Sequence, residues 1–236
     1  MNLETRHRFI LLRHGQSQWN LENRFTGWTD VELTKKGLFE AQQAALKLKA
    51  AGFSFDIAYT SVLRRAKDTL KIVLEEMRLE SIPIHCAWQL NERHYGALQG
   101  LNKAITAERL GKAQVMDWRR SYSGCPPLLD PDDPRHPRFD PLYTGFPHEL
   151  LPGGESLQDT ERRVAPYWEI SIRPLIQAGI SVLVVAHGNS LRALVRYLDQ
   201  IPPDQVPKLD IPTGVPIIYD ADCDVKPLRR QLLPIG

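Results

Sequence analysis

The chain has 236 residues, of which 42% are hydrophobic and 25% charged, and its formal net charge is +2. This composition is typical of a soluble globular protein and excludes the disordered and membrane-embedded classes. So small a net charge does not favour a nucleic acid or an anionic membrane surface as a partner. At this length a hydrophobic core forms without support from disulfides or metals.

The cysteines and the amino terminus indicate a protein of a reducing compartment. Cys86, Cys125 and Cys223 are scattered and odd in number, which favours neither a disulfide framework nor a thiolate zinc site. Residues 1–8 are polar and charged with no apolar segment behind them, so we expect no secretory signal. No apolar run approaches the ~20 residues of a membrane-crossing helix. We therefore expect a cytoplasmic protein.

Strands and helices are predicted to alternate along most of the chain. The predicted strands cover residues 9–12, 56–60, 82–88, 181–186, 215–220 and 227–233. The predicted helices cover residues 34–51, 62–77, 103–110, 157–178 and 189–199. Ser61 is expected to cap the second helix, and Ser156 with Asp159 to form a capping box on the fourth. Pro166 and Pro174 are expected to kink that fourth helix.

This alternation predicts an α/β protein of three layers, with a mostly parallel central sheet and helices on both faces. Apolar runs without polar alternation agree, because parallel strands are buried on both sides. Residues 93–152 break the rhythm with a short helical segment and a proline-dense loop at 126–152. Such long loops are usually functional, so we expect one domain (residues 1–236) with a lid-type insertion at about 93–152.

Polar and charged residues follow four of the predicted strands, at the edge where open α/β sheets bind ligands. They are Arg13, His14, Gly15 and Ser17 after the first, Arg64 and Arg65 after the second, Glu92, Arg93 and His94 after the third, and His187, Gly188, Asn189 and Ser190 after the fourth. Two histidines, several arginines and a carboxylate are therefore expected to converge on one edge.

These residue types suit phosphoryl transfer. An imidazole nitrogen can attack phosphorus and form a phosphohistidine, which splits one transfer into two. Arg13 and Arg65 can present paired donors to the phosphate oxygens, and the free amides at the start of the helix at Asn189 can form an anion site. Breaking the ester also needs a proton donor, for which Glu92 is the nearest candidate carboxylate.

Several of these residues also have a structural interpretation. A lone histidine after a strand is more often structural, but two in R-H-G and H-G-N contexts favour catalysis. One of Arg64 and Arg65 is expected to face solvent, and the sequence does not decide which. Taken alone, Glu92 fits a surface glutamate as well as a catalytic carboxylate, because surface glutamates are common. The structural or surface histidines, judged from the residues alone, are His85, His94, His136 and His148.

The insertion contributes cations whose role the pattern leaves open. Lys103, Arg119 and Arg120 are most simply solvated charges, but they lie in the segment expected to cover the site. Gly15 and Gly188 are expected only to let the backbone approach the ligand.

The segment Leu-Arg-His-Gly-Gln-Ser at residues 12–17 resembles the R-H-G signature of the histidine phosphatase superfamily, which includes phosphatases and mutases. Longer segments resemble more specifically the cofactor-dependent phosphoglycerate mutases. They are residues 23–28, 90–103, 118–120, 186–193 and 211–216. The resemblance covers residues 9–233 and implies a phosphoglycerate mutase-like fold.

The resemblance implies interconversion of 3- and 2-phosphoglycerate, priming by 2,3-bisphosphoglycerate, no metal, and a homodimer or higher homo-oligomer. His14 would be the phosphorylated nucleophile and Glu92 the proton donor and acceptor. Arg13, Arg65 and His187 would complete the phosphate pocket. The expected substrate-binding residues are Ser17, Asn20, Thr26, Gly27, Arg93, His94, Tyr95, Lys103, Arg119, Arg120, Gly188 and Asn189.

Two departures from the family pattern bear on activity. Gln16 stands where many members carry Glu, and the chain ends at Gly236, whereas longer members carry a tail that folds over the site. Weaker water exclusion would favour hydrolysis as a side reaction. The hypotheses are a mutase, a phosphatase of the same superfamily and, as a minor case, a bisphosphoglycerate synthase. A catalytically silent binding module is disfavoured because His14, Glu92 and His187 are all present.

Overall fold

The computed structural model describes residues 7–233, which form a six-stranded sheet flanked by helices. The strands are β1 (His7–Arg13), β2 (Ile57–Thr60), β3 (Ile84–Cys86), β4 (Val182–Ala186), β5 (Pro216–Ala221) and β6 (Pro227–Leu232). The α-helices are α1 (Gln18–Leu21), α2 (Lys35–Ala50), α3 (Arg64–Met77), α4 (Lys103–Leu110), α5 (Lys112–Arg120), α6 (Leu157–Tyr167), α7 (Arg173–Gln177) and α8 (Gly188–Leu198).

The sheet has the order β3-β2-β4-β1-β5-β6. The pairs β3–β2, β2–β4 and β4–β1 are parallel, whereas β5 and β6 add antiparallel strands beyond β1. The prediction of a mostly parallel α/β sheet is therefore confirmed. Because the neighbouring strands β1, β2, β3 and β4 run in the same direction, their carboxyl ends lie along one edge.

Alternate residues of the strands supply two separate cores. Ile10 and Leu12 of β1 face the side covered by α2 and α3, with Leu48 and Val73 in the same cluster. Phe9 and Leu11 of β1 belong to the opposite cluster, formed with residues of α6, α7 and α8. Both faces of the sheet are thus covered, which gives the three predicted layers and explains the uninterrupted apolar runs.

Two predicted elements differ clearly in extent from the structure. The third strand is confined to Ile84–Cys86, all of it exposed at the sheet edge, instead of residues 82–88. The long fourth helix divides into α6 and α7 around a π-helical turn at Trp168–Ile172, which lies between Pro166 and Pro174. A π turn is a recognised cause of helix distortion, and it accompanies the two prolines that predicted the kinks.

The prediction that Ser61 caps α3 is wrong. The residue before α3 is Leu63, which makes no side-chain capping bond. The Ser61 hydroxyl instead accepts the Leu63 N–H and lies against His187. The capping box of Ser156 and Asp159 at the start of α6 is present as predicted.

The insertion is more structured than predicted. Residues 103–120 form the pair α4 and α5, and the proline-dense segment holds three short 3₁₀ turns at Pro137–Phe139, Pro141–Tyr143 and His148–Leu150.

Within residues 7–233, no helix is both long enough and apolar enough to cross a membrane. The cytoplasmic location stays a prediction. The expectations about the chain ends rest mainly on residues 1–6 and 234–236, which lie outside the described residues.

Candidate active site

The two histidines singled out in the sequence lie side by side. Arg13, the last residue of β1, is paired with Ala186, the last residue of β4, so His14 and His187 leave adjacent strands at the same level. Their ring centroids are 5.0 Å apart, with an interplanar angle of 62°. Both residues are buried, with His14 2% exposed and His187 fully covered.

The surroundings of His14 leave one ring nitrogen free to attack. Its Nδ1 lies 2.6 Å from the carbonyl oxygen of Gly15. A carbonyl can only accept, so Nδ1 carries the hydrogen and Nε2 keeps its lone pair. Burial, with the charges of Arg65 and Arg13, holds the pKa of His14 well below its ordinary value of 6.5. The ring is therefore a neutral nucleophile at neutral pH.

Arg65, and not Arg64, faces the site. Arg65 is 1% exposed and donates to the carbonyl oxygens of Gly27 at 2.8 Å and Thr29 at 2.9 Å. Arg64 is exposed and pairs with Glu32. Burial lowers the pKa of Arg65 to about 10, so it remains a cation at neutral pH.

Arg13 is held at the end of β1 by close backbone packing. It donates to the carbonyl oxygen of Ile211 at 2.7 Å, and its Nε has no partner within residues 7–233. A Cβ on Gly188 would lie 3.2 Å from the Arg13 guanidinium carbon, so glycine gives this side chain its room. A Cβ on Gly15 would overlap the Gly37 carbonyl oxygen of α2. Close packing against protein, beyond approach to a ligand, thus explains both glycines.

Glu92 is a buried carboxylate, 8% exposed, beside these cations. Its Oε1 accepts the backbone N–H of Arg93 at 2.8 Å and of Asn189 at 3.0 Å. Burial raises its pKa, but Arg13, the Arg93 amide and Arg65 more than offset this, and the net pKa is lowered. The carboxylate is therefore ionised. The amide of Asn189, predicted to be free for an anionic ligand, is already bound to this anion.

A cavity of about 110 Å³ lies at this edge of the sheet. Its lining residues are Arg13, Asn20, Thr26, Gly27, Glu92, Tyr95, Lys103, Arg119, Arg120, Gly188, Asn189, Arg192 and Asp210. The insertion cations thus share one cavity with Glu92. His14, Arg65 and His187 are buried and are not among these lining residues.

Three expected substrate-binding residues do not line the cavity, and two of them contact residues that do. Ser17 caps α1 in a capping box with Asn20. The Arg93 guanidinium donates to the Tyr95 hydroxyl at 3.0 Å and to the Arg119 carbonyl at 2.9 Å. In the structure these two residues contact lining residues, and their part in substrate binding stays a prediction.

His94 is the third, and its position is structural. It is fully buried, its Nδ1 accepts the Gly96 N–H at 3.0 Å, and its ring packs edge-on against Trp28. Burial, with His136 and Arg163, lowers the pKa of His94 to about 3. A neutral ring inside the protein fits the structural interpretation of His94 drawn from the residues alone.

Three residues near the site were not predicted. Arg192 lines the cavity, is 6% exposed, and donates to the side-chain oxygen of Asn189. Asp210 also lines it, 3.9 Å from Arg120. Ser61 contacts His187 behind the lining. Ser61 directly follows a predicted strand, so its position at the ligand-binding edge could have been predicted. Arg192 lies in the segment 186–193 that carries the resemblance. No sequence signal marked Asp210.

Comparison with known proteins identifies the family. The profile of the histidine phosphatase superfamily (branch 1) matches residues 9–128 and 129–224. A mycobacterial glucosyl-3-phosphoglycerate phosphatase in complex with VO3 has a TM-score of 0.70 at 25% identity, over 96% of this chain and 97% of that chain. The alpha-ribazole phosphatase from Shigella flexneri gives 0.68 at 22% identity, over 94% of each chain.

The Bacillus stearothermophilus protein YhfR is similar to the same extent, with a TM-score of 0.68 at 24% identity over 91% of each chain. At such identities these structures support the fold, and the family assignment rests on the profile match over most of the chain. The chain therefore belongs to branch 1 of the histidine phosphatase superfamily, whose phosphatases and mutases act through a phosphohistidine.

Proposed function

We propose that this protein is a phosphoglycerate mutase, primed by 2,3-bisphosphoglycerate, that interconverts 3- and 2-phosphoglycerate. The observation that carries the proposal is a second group of cations in the cavity: Lys103, Arg119 and Arg120 line it together with Arg13. A phosphoglycerate is anionic at its phosphate and at its carboxylate, so both ends need cationic partners. A simple phosphomonoester needs them at one end only.

The size of the cavity supports the same substrate. Ligand pockets for drug-sized molecules are roughly 300–1,000 Å³, whereas this cavity is about 110 Å³. A compact three-carbon acid suits such a volume. Tyr95 adds a polar group, because its hydroxyl accepts hydrogen bonds from Arg93 and Asn189 and so has a fixed position in the lining.

The proposed reaction has two transfers. In the first, Nε2 of His14 attacks phosphorus of the bisphosphate, the P–O ester bond breaks, and the leaving oxygen takes a proton from Glu92. In the second, the free hydroxyl of a monophosphoglycerate attacks the phosphohistidine and gives its proton to Glu92, and the N–P bond breaks, which regenerates the bisphosphate. Because the bisphosphate can give up the phosphoryl group of either carbon, 3- and 2-phosphoglycerate are interconverted.

The charges of the site suit both directions of this proton transfer. Arg13 and Arg65 neutralise the equatorial phosphoryl oxygens and keep the Glu92 pKa low in the free protein. A bound phosphate dianion offsets the two guanidinium charges, which raises the Glu92 pKa and lets it carry the proton that it donates.

The second candidate is a phosphatase, in which water takes the phosphoryl group from His14. The similarity to a glucosyl-3-phosphoglycerate phosphatase favours this candidate, because the name of that enzyme gives a phosphoglycerate derivative as its substrate. In this protein a hexosyl group would extend beyond a cavity of about 110 Å³. Hydrolysis of phosphoglycerates is therefore the form of this candidate that fits best.

The test measures interconversion of 3- and 2-phosphoglycerate with and without 2,3-bisphosphoglycerate, in the presence of a chelator, while release of inorganic phosphate is followed in parallel. Interconversion that depends on the bisphosphate and outpaces hydrolysis is expected. Release of phosphate without interconversion would assign the phosphatase instead. A requirement for divalent metal would contradict both.

A matched pair of variants tests the second group of cations. Lys103→Ala removes a cation that lines the cavity, and Arg109→Ala removes an exposed one from the same helix. Loss of a charged hydrogen bond predicts a drop of roughly 10- to 100-fold in mutase kcat/KM for Lys103→Ala. Arg109→Ala is expected to match the wild type, and equal losses in both variants would contradict the assignment.

Three further parts of the family resemblance stay predictions. They are the 2,3-bisphosphoglycerate primer, the homo-oligomer and the metal-independent reaction. Within residues 7–233, no three His, Cys, Asp or Glu side chains form a group that could hold a metal ion. The chelator in the assay above tests metal independence, and sedimentation of the purified protein tests the oligomer.

A further inference from the structure

A buried serine contacts the second histidine of the site. Thr60 of β2 is paired with Val185 of β4, so Ser61 and His187 leave adjacent strands close together. The Ser61 Oγ lies 2.7 Å from Nε2 of His187, and both residues are fully covered. Ser61 hydrogen-bonds to His187, whose ring packs against His14, so we expect Ser61 to act on the substrate through His187.

The other groups at the serine favour one direction for this hydrogen bond. The Ser61 oxygen accepts the Leu63 N–H at 3.2 Å, which occupies one lone pair and strengthens the hydroxyl as a donor. Burial, with Arg65, His14 and Arg13, holds the pKa of His187 well below 6.5, so the ring is neutral and one nitrogen is bare. A hydroxyl hydrogen aimed at Nε2 satisfies that bare nitrogen.

The opposite nitrogen of His187 is then the one that carries hydrogen. Within residues 7–233, its Nδ1 has no hydrogen-bond partner, although it is buried next to the His14 ring. A buried N–H without a partner is costly, and a phosphoryl oxygen on His14 would accept it. If Nε2 carried the hydrogen instead, Nδ1 would turn a lone pair towards those negative oxygens.

We propose that Ser61 is a positioning residue that holds His187 in its Nδ1–H tautomer, so that Nδ1 donates to the phosphoryl group carried by His14. The two histidines thus receive opposite tautomeric roles from opposite partners. The Gly15 carbonyl can only accept, which frees Nε2 of His14 as a nucleophile. The Ser61 hydroxyl can donate, which makes Nδ1 of His187 a donor.

The inference rests only on phosphorylation of His14, the step that the proposed mutase and a phosphatase share. It is tested with Ser61→Ala, which deletes the hydroxyl, and Ser61→Thr, which keeps it. The control is Thr60→Val, at the preceding residue. It deletes a buried hydroxyl that donates to the Val185 carbonyl and not to His187. Thermal unfolding of each variant checks that it is folded.

Two readouts are required. Long-range ¹H–¹⁵N spectra of histidine-labelled protein, with and without inorganic phosphate, report the His187 tautomer. Rapid-quench measurement with 2,3-bisphosphoglycerate reports phosphoenzyme formation. In Ser61→Ala we expect loss of the pure Nδ1–H tautomer and phosphoenzyme formation slowed roughly 10- to 100-fold, with much less change in KM. Ser61→Thr and Thr60→Val should stay close to the wild type in both readouts.

The inference is overturned if Ser61→Ala keeps the Nδ1–H tautomer or the wild-type rate. It is also overturned if Thr60→Val slows the reaction equally, because the loss would then be structural. Where threonine does not fit the buried site, the tautomer in Ser61→Ala decides alone. A wild-type protein that forms no phosphoenzyme counts against the proposed function, whereas the tautomer measurement needs no turnover and keeps the two failures apart.

Discussion

Replacing Glu92 by glutamine separates the charge of this side chain from its shape. The carboxylate Oε1 accepts two backbone N–H groups, of Arg93 and Asn189, and an amide oxygen can accept both. The fold around the site should therefore persist in Glu92→Gln. What disappears is the proton that the leaving oxygen needs and the negative charge beside Arg13 and Arg65.

Loss of the proton should slow the reaction, and loss of the negative charge should strengthen phosphate binding. A positioned general acid contributes about 10²–10⁴-fold, so phosphoryl transfer from 2,3-bisphosphoglycerate to His14 should slow by that factor, or by about 3–5 kcal/mol in barrier height. Inorganic phosphate should bind more tightly to Glu92→Gln, because the guanidinium groups of Arg13 and Arg65 no longer share their charge with a carboxylate.

The assay compares two phosphoryl donors in rapid-quench experiments. When the bisphosphate is the donor, the leaving group is an alkoxide that needs protonation. When p-nitrophenyl phosphate is the donor, the leaving group is a stable phenolate. The rate loss in Glu92→Gln should therefore be large with the first donor and small with the second. The control is Glu40→Gln: Glu40 is also 8% exposed, accepts the Gln16 N–H at 2.7 Å, and does not line the cavity.

Three results would refute this reasoning. An equal rate loss with both donors would show that Glu92 does not protonate the leaving group. Weaker binding of phosphate by Glu92→Gln would contradict the electrostatic account of Arg13 and Arg65. A similar rate loss in Glu40→Gln would show that removing any buried carboxylate of this region slows the transfer.

Two further predictions concern stability. The pKa of buried His94 is lowered to about 3, so stability present above the unfolded value of 6.5 is lost as pH falls from there towards 3, by up to about 1.4 kcal/mol per pH unit. Urea unfolding of His94→Gln should show a shallower decline between pH 6 and 5, and an unchanged decline would contradict this. Gly15→Ala should cost about 3 kcal/mol, because its Cβ overlaps the Gly37 carbonyl. Gly52→Ala, at φ +76° with no atom within 4 Å of a Cβ, should cost about 1 kcal/mol; equal losses would refute the packing argument.

The parts of the fold that could be predicted are those set by burial and strand direction. The apolar runs of β1 and β4 lack polar alternation because both sheet faces are covered, and that pattern predicted parallel strands. Parallel strands bring their carboxyl ends to one edge, which is why His14 and His187, directly after β1 and β4, lie side by side. Glu92, further along the chain after β3, reaches the same edge and accepts the Asn189 N–H.

The rest depends on contacts that the sequence does not encode locally. Ser61 has the residue type of a helix cap, but a histidine 126 positions away is its partner. Arg192 has the residue type of a surface cation, and only the packing of α8 brings it to the cavity. The sequence places His94 after a predicted strand, as it does His14, but β3 ends at Cys86. The His94 backbone N–H is bound to Glu155, and its ring is held inside the protein.

The central claim is that Nε2 of His14 carries the phosphoryl group. The most direct measurement treats the protein with 2,3-bisphosphoglycerate, quenches it in base, and locates the acid-labile phosphate by mass spectrometry, with NMR to distinguish the two ring nitrogens. The account predicts phosphate on Nε2 of His14, slower labelling in His187→Ala, and none in His14→Ala. Label that persists in His14→Ala, or that is bonded to Nδ1, would contradict it.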